Sequence, residues 1–313
     1  MLICEWVSAP TSFDSGSFSL WTVAAKWAAE VDPQTKKRVR PRATVADYYN
    51  TKAFWAYMDR YAAFIKEHAH AIDYYANVDV IPDPVLTFRN QRYLEKEHGL
   101  SPVPVVHYRT DLFWLEKYLV RKAVGGAHGL VALGGLVGST AQDACRHWLD
   151  RAFDVICGQP SRLPRTRIHG FGVTSFPLLY RYPWWSVDST TWTMVGAMGG
   201  VIVPHHRDGK FVFTVPPYVM KFSSKAKDKT LAGRHFNTMR AGERATVLAW
   251  LAEIGIPLGE CHQDGTVISY GVTNRHCERK AANLLFFEKM RLALPKYPWP
   301  FMGVKKTQLD IKL

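Results

Sequence analysis

Leu130-Val131-Ala132-Leu133-Gly134-Gly135-Leu136-Val137 is an uninterrupted apolar stretch that contains two adjacent glycines. A stretch of this kind is typical of a strand that a parallel sheet buries on both faces. Similar stretches, rich in β-branched and apolar residues, lie at 75–81, 103–108, 167–173, 186–188 and 267–272. Helical patterns lie between them, at 45–70, 84–98, 110–123, 140–157 and 176–182. Strands that alternate with helices in this way predict an α/β fold with a parallel sheet.

The number of strand–helix units favours a (β/α)8-type TIM barrel, because at least five such units follow one another along the chain. No Gly-x-Gly-x-x-Gly segment follows the first strand, so the usual sign of a dinucleotide-binding, doubly wound sheet is missing. The 313 residues, 47% of them hydrophobic, suffice for one large domain over residues 1–313.

The regular alternation ends after Asp188. Residues 199–230 predict a basic β-hairpin and loop inserted into the barrel, with its turn near Asp208-Gly209, a dipeptide that suits a tight hairpin. A helix is predicted over 241–254, and a C-terminal helix and tail over 278–313.

The chain carries a formal net charge of +13 and has a pI near 9.5. Such a surplus attracts polyanions, so nucleic acid is the leading partner and an anionic membrane surface is the rival. A basic protein without such a partner is the remaining alternative. The basic residues expected to contact nucleic acid are Lys36, Lys37, Arg38, Arg207, Lys221, Lys225, Lys227 and Lys229.

The sequence also bears on the compartment. No apolar stretch approaches the roughly 20 residues needed to cross a bilayer, and the first residues lack the features of a signal peptide. The five cysteines have no disulfide-framework spacing, which fits reduced thiols. We therefore expect a cytoplasmic protein that does not associate with membranes.

In a parallel barrel, functional residues gather at the C-terminal ends of the strands. Asp79, His107, the Gly134-Gly135 pair and Asp188 meet this description, and Asp14 lies in a Gly/Ser turn near the start of the chain. Each also has a purely structural interpretation. An aspartate can start a turn or cap a helix, paired glycines can permit close packing, and a lone histidine can be a hydrogen-bonded core residue.

Two motifs resemble those of a known family. Phe13-Asp14-Ser15-Gly16-Ser17-Phe18-Ser19 resembles the DSGGFQ motif of tRNA-guanine transglycosylases, and LGGLVG at 133–138 resembles their GGLAVG motif. The strand-end Asp188 follows in the family's order. The segment 169–192, HGFGVTSFPLLYRYPWWSVDSTTW, is similar to the phage-encoded branch, whose members insert 7-deazaguanine bases into DNA.

The resemblance, which covers roughly residues 10 to 200, implies a role for each matching position. Asp188 matches the nucleophile that forms a covalent glycosyl-enzyme, and Asp14 matches the general acid/base. Asp79 matches the carboxylate that binds the Watson–Crick edge of the base. His107 stands where the family has a glutamine. The further positions that match the base pocket are Ser15, Phe18, Gly134 and Gly135.

Two departures from the family pattern stand out. The Asp14 motif comes after only 13 residues, so we expect a barrel that is irregular or incomplete at its N-terminus. The family's CxCxxC…H zinc site is missing, and the weak metal candidates in its place are Cys261, His262, His276 and Cys277. Adjacent ligands are sterically awkward, so chemistry without a cofactor is favoured and zinc is the lesser alternative.

The leading hypothesis is a pentosyltransferase that replaces guanine in DNA with a free 7-deazaguanine (preQ0-type) base, acting on a duplex from which the guanosine is flipped. If phage-encoded, it would act in the host cytoplasm. Three alternatives stay open: the same chemistry on tRNA, a non-catalytic nucleic-acid-binding barrel, and a glycoside hydrolase that uses two carboxylates. The last of these leaves the charge of +13 unexplained.

Overall fold

The computed structural model describes residues 2–3, 12–13, 17–120, 129–136, 142–158, 160–173, 175–223, 230, 233, 235–262 and 264–303, with the side chains of 2, 3, 12, 13, 18 and 142 excepted. Its strands are β1 (Leu2–Ile3), β2 (Ser12–Phe13), β3 (Tyr74–Tyr75), β4 (Val105–His107), β5 (Leu130–Gly134), β6 (Arg167–Gly170), β7 (Ser186–Val187), β8 (Gly200–Val203), β9 (His205–Arg207), β10 (Lys210–Val212), β11 (Tyr218–Lys221), β12 (Glu260–Cys261) and β13 (Val267–Ser269). Its helices are α1 (Ser17–Ala28), α2 (Val45–Tyr48), α3 (Lys52–Glu67), α4 (Pro84–His98), α5 (Phe113–Val120), α6 (Gln142–Ile156), α7 (Phe176–Arg181), α8 (Thr191–Ala197), α9 (Ala241–Glu253) and α10 (His276–Ala293).

The chain forms two compact units. The first, here called the sheet unit, consists of residues 5–172, 182–186 and 298–313. The second, here called the hairpin unit, consists of residues 1–4, 173–181 and 187–297. Within the described residues, no helix is both long enough and apolar enough to cross a membrane.

A parallel sheet with the strand order β4-β5-β6-β7 forms the centre of the sheet unit. The registers of β4 on β5 and of β5 on β6 are parallel, and the backbone N–H of Trp185 donates to the carbonyl of Ile168 beside β7. All residues of β4 and β5 are buried, as the apolar runs predict. The predicted α/β fold with a parallel sheet is therefore confirmed.

Two further strands continue the parallel arrangement. β2 pairs in parallel with β3, and a parallel bridge between Ala76 and Val103 links the chain after β3 to the chain before β4. Within the described ranges these strands do not close into a barrel. The late strand expected at 267–272 does not join them, because β13 is exposed and pairs antiparallel with β12.

Local signals set the bounds of α4. Pro84 occupies the first helical turn, and the side chain of Asp83 accepts hydrogen bonds from the backbone N–H groups of Val85 and Leu86. Gly99 ends the helix in the left-handed conformation, with φ of 66°. The helix predicted over 84–98 is confirmed with the same bounds.

The single helix predicted over 45–70 is wrong, because the structure divides this region into α2 and α3. Thr51 has an extended backbone and accepts a hydrogen bond from Phe54 N at its hydroxyl, so it begins a new helix. The break lets Tyr48, Tyr49 and Phe54 pack together in the core of the sheet unit.

The hairpin unit is built on antiparallel pairs. β8 pairs with β11, and β9 pairs with β10 further along the same hairpin. The turn lies at Asp208 and Gly209, with φ of 49° and 75°, as a type I′ turn requires. α10 packs against α8 at Gly196, where an added Cβ would lie 2.9 Å from the backbone nitrogen of Lys280.

Asn283 joins three elements of the hairpin unit. This fully buried side chain accepts a hydrogen bond from Ile202 N at 2.7 Å and donates to the carbonyls of Trp192 and Gly200.

We expect Asn283→Ala to lower the free energy of unfolding by about 3 kcal/mol, because it leaves buried backbone groups without partners. Urea denaturation measures this change. Leu284→Ala, at an exposed position on the same helix, is the control, and equal losses in both variants would contradict the assignment.

Candidate functional site

The centre of the candidate site is a buried pair in the sheet unit. His107 Nε2 lies 2.6 Å from Asp79 Oδ2, and the two residues are 2% and 7% exposed. His107 is the last residue of β4, and Asp79 follows β3. The parallel strands thus bring two titratable groups together at their C-terminal ends, where a parallel sheet carries its functional residues.

The paired glycines lie beside this pair. The register places His107 directly opposite Gly134, and a Cβ at Gly134 would lie 3.2 Å from Cδ2 of the imidazole. Gly135 has a φ of 70°, which favours glycine. The absence of a side chain at 134 therefore makes room for the His107 ring.

The described residues that flank Asp14, Ser15 and Gly16 lie close to β3 and Asp79. Phe13 pairs with Tyr75 in the parallel β2–β3 ladder. The backbone N–H of Asp79 donates to the hydroxyl of Ser17, the first residue of α1, at 3.1 Å. The residues on both sides of segment 14–16 are thus held next to β3 and the chain that follows it. Asp14 and Ser15 lie outside the described residues, as does the side chain of Phe18.

Tyr49 lies near enough to Asp79 to be affected by its charge, which the sequence does not predict. Its side chain is fully buried, and burial together with the negative charge of Asp79 raises the pKa of the phenol to about 12. The phenol is therefore protonated at neutral pH. No motif marks Tyr49, because its position depends on the break between α2 and α3.

Two buried polar atoms of the site have no hydrogen-bond partner among the described residues. They are His107 Nδ1 and the hydroxyl of Tyr49. Leaving a buried polar group unsatisfied costs about 1–3 kcal/mol. Four other described residues, Asn77, Gln91, Tyr118 and Trp250, also have such an atom. A polar ligand bound at this site would satisfy such atoms.

Asp188 is the first residue after β7 and is half-buried. It belongs to the hairpin unit, whereas Asp79, His107, Gly134 and Gly135 are brought together in the sheet unit. Ser189 Oγ accepts a hydrogen bond from Thr191 N, and α8 begins at the next residues, with Thr190 as its N-cap. Asp188 thus occupies the strand-to-helix connection that the sequence predicts.

The basic residues expected to contact nucleic acid have different surroundings. Lys36, Lys37 and Arg38 are exposed on a turn between α1 and α2. Arg207 is exposed at the end of β9, next to the hairpin turn. The ammonium of Lys221 instead donates to the carbonyl of Met198 at 2.8 Å. The other three predicted residues, Lys225, Lys227 and Lys229, lie outside the described residues.

The weak metal candidates do not form a site in the part of the chain that is described. No group of three or more His, Cys, Asp or Glu side chains there could hold a metal ion. Cys261 lies in β12 and interacts with Asn274 Nδ2 at 3.5 Å. His276 and Cys277 begin α10.

Comparison with known proteins gives no family for this chain: no family model, no curated protein and no solved structure matches it.

The geometry of the site predicts how substitutions of His107 change the free energy of unfolding. His107→Leu leaves the Asp79 carboxylate buried without its donor, and we expect it to lower the free energy of unfolding by about 3 kcal/mol at neutral pH. His107→Gln retains an N–H donor, so we expect a loss below about 1.5 kcal/mol. Chemical denaturation of the two variants measures the difference. If glutamine and leucine are equally destabilising, the hydrogen bond to Asp79 is not what holds His107 in place.

Proposed function

We propose that this protein is a base-exchange transglycosylase that removes guanine from DNA and inserts a 7-deazaguanine (preQ0-type) base. One observation carries the proposal: the buried Asp79–His107 pair, in which His107 Nδ1 has no partner among the described residues, lies beside Gly134-Gly135. These are the positions that the resemblance to tRNA-guanine transglycosylases assigns to the base pocket. The sheet thus assembles residues that are distant in sequence, as base binding requires.

The proposed reaction has two displacements. A carboxylate oxygen of Asp188 attacks C1′ of the deoxyribose, and the glycosidic bond breaks with its electron pair leaving on guanine. Asp14 supplies the proton that guanine needs in order to leave. Asp14 then removes a proton from the incoming base, whose ring nitrogen attacks C1′ and releases Asp188. Two inversions give net retention, and the cycle needs no cofactor.

The strand order supports a barrel-like arrangement for this chemistry. From β2 to β7 each strand is the neighbour of the next one in sequence, with the parallel bridge between Ala76 and Val103 joining β3 to β4. A doubly wound sheet would reverse its order at one point. We therefore propose a (β/α)8-type barrel that is irregular at its N-terminus, with the base pocket at the C-terminal ends of its strands.

The charge distribution supports DNA as the substrate. The chain carries +13, and exposed cations lie at the β9–β10 turn and on the turn between α1 and α2. Cations on exposed turns can follow a phosphate backbone without penetrating the base pairs. To reach C1′ of a paired guanosine, the enzyme would have to flip the nucleotide out of the helix.

Base exchange predicts a transfer of label. With radiolabelled guanine or preQ0, we expect label to enter duplex DNA and not tRNA. Label that enters only tRNA would keep the chemistry and overturn the DNA assignment, whereas label in neither would overturn base exchange.

The same assay tests the nucleophile. Asp188→Asn is expected to abolish both the transfer and any denaturation-resistant protein–DNA adduct, because an amide cannot form the glycosyl ester. Asp150→Asn is the control, because Asp150 contacts Tyr182 within the sheet unit and has no assigned part in the reaction. An adduct that persists at full yield in Asp188→Asn would show that another residue is the nucleophile.

The hairpin turn makes a separate prediction about DNA binding. Arg207→Ala combined with Lys210→Ala removes two facing exposed cations. We expect weaker duplex binding, with the slope of log affinity against log salt reduced by about two units, one for each phosphate that is no longer neutralised. Lys289→Ala is the control, because Lys289 forms an ion pair with Glu253 in the same unit. An unchanged salt slope in the double variant would exclude the turn from the DNA interface.

A further inference from the structure

Arg109 lies in the connection that follows β4, two residues after His107. Its φ is 71°, a left-handed conformation that costs free energy for a residue with a side chain. The other described residues with a positive φ, glycines aside, lie elsewhere: Lys36 between α1 and α2, Arg162 after α6, and Asp208 at the hairpin turn. An unfavourable conformation that is kept next to a candidate site points to a use for the side chain.

Hydrogen bonds on both sides of Arg109 hold its backbone in this conformation. The carbonyl of His107 accepts from the backbone N–H of Thr110 at 3.1 Å and from its hydroxyl at 2.7 Å. The carbonyl of Thr110 accepts from the indole N–H of Trp148 at 3.1 Å. The turn is therefore fixed by its neighbours, and glycine at position 109 would fit it without the conformational cost.

The side chain of Arg109 is exposed, and its guanidinium lies over the ring of Tyr108 at 5.3 Å from the centroid. That ring in turn makes an edge contact with Trp148 at 5.8 Å. A contact with an aromatic ring neutralises no charge, so the guanidinium keeps its attraction for an anion. The described arginines that form ion pairs with described carboxylates are others, namely Arg40, Arg92, Arg146, Arg162 and Arg291.

The position of Arg109 suits the phosphate of a nucleotide. His107 is buried and Arg109 is exposed, and two residues span at most about 7 Å. The chain thus passes from the buried pair to the surface within a short distance. A nucleotide likewise carries its phosphate one sugar away from its base. With the base at the buried pair, the phosphate would lie at the surface, where a guanidinium can bind two of its oxygens.

We propose that Arg109 is a binding residue that contacts the phosphate next to the guanosine whose base enters the site at Asp79 and His107. The inference rests on the proposed function, because it takes a flipped nucleotide as the substrate. It goes further by placing a phosphate contact at the site itself, at a position outside the basic clusters of the sequence. Phosphate contacts position a nucleic acid without reading its bases, so Arg109 affects the affinity for DNA and not the choice of base.

The test removes the charge of each partner in turn. The probe is a duplex with one G·C pair, made with ordinary phosphates or with a neutral methylphosphonate on the 5′ or the 3′ side of the guanosine. Binding is measured by fluorescence anisotropy for wild type, Arg109→Gly and Arg60→Ala. Arg109→Gly suits the positive φ, and we expect its thermal midpoint to be no lower than that of wild type. Arg60 is the matched control, because it is an exposed arginine on α3 of the same unit.

We expect one of the two methylphosphonates to weaken binding by wild type and Arg60→Ala about tenfold, the effect of one charge-assisted hydrogen bond. Because Arg109→Gly has already lost that contact, we expect it to lose less than about twofold. An equal loss in Arg109→Gly and wild type overturns the inference. A wild type that is insensitive to both methylphosphonates overturns it as well.

Transfer of labelled guanine to duplex DNA by wild type tests the proposed function separately. Label transfer together with either of these two contrary results leaves base exchange standing and removes Arg109 from it. A tenfold loss confined to wild type and Arg60→Ala, without label transfer, would keep the phosphate contact and overturn base exchange.

Discussion

The parallel register that sets His107 opposite Gly134 is the constraint on which the candidate site depends. A shift by one residue would turn His107 to the other face of the sheet, because strand side chains alternate. The missing side chain at Gly134 then gives the imidazole the space to reach Asp79 at 2.6 Å. One backbone pairing thus determines both the burial of the histidine and its hydrogen bond.

Much of the sheet could be predicted from sequence because its signals are local. Uninterrupted apolar runs marked β4 and β5, and Asp83, Pro84 and Gly99 marked both ends of α4. Prediction failed where tertiary packing decided the outcome. Neither the break at Thr51 nor the antiparallel pairing of β13 is indicated by a distinctive hydrophobic periodicity in the sequence.

The residues of the candidate site likewise include some that the sequence predicts and one that it does not. Asp79, His107 and the glycine pair could be predicted, because each lies at or after the end of an apolar strand. Tyr49 could not, since a tyrosine in a short helix resembles any other core aromatic, and its proximity to Asp79 arises only in the folded chain. The clustering of basic residues in the sequence also did not show which side chains already have a partner within the protein. Lys221 belongs to a basic cluster, yet its ammonium is bound to the carbonyl of Met198.

The hydrogen bond from Asp79 N to Ser17 Oγ joins groups that are 62 positions apart in the chain. Closing so long a loop costs conformational entropy before any contact can compensate for it. The two sides of the candidate site therefore meet only after the chain from α1 to the residues that follow β3 has folded together. During synthesis, the first helix has to wait for β3 and the residues after it before the two sides of the site can meet.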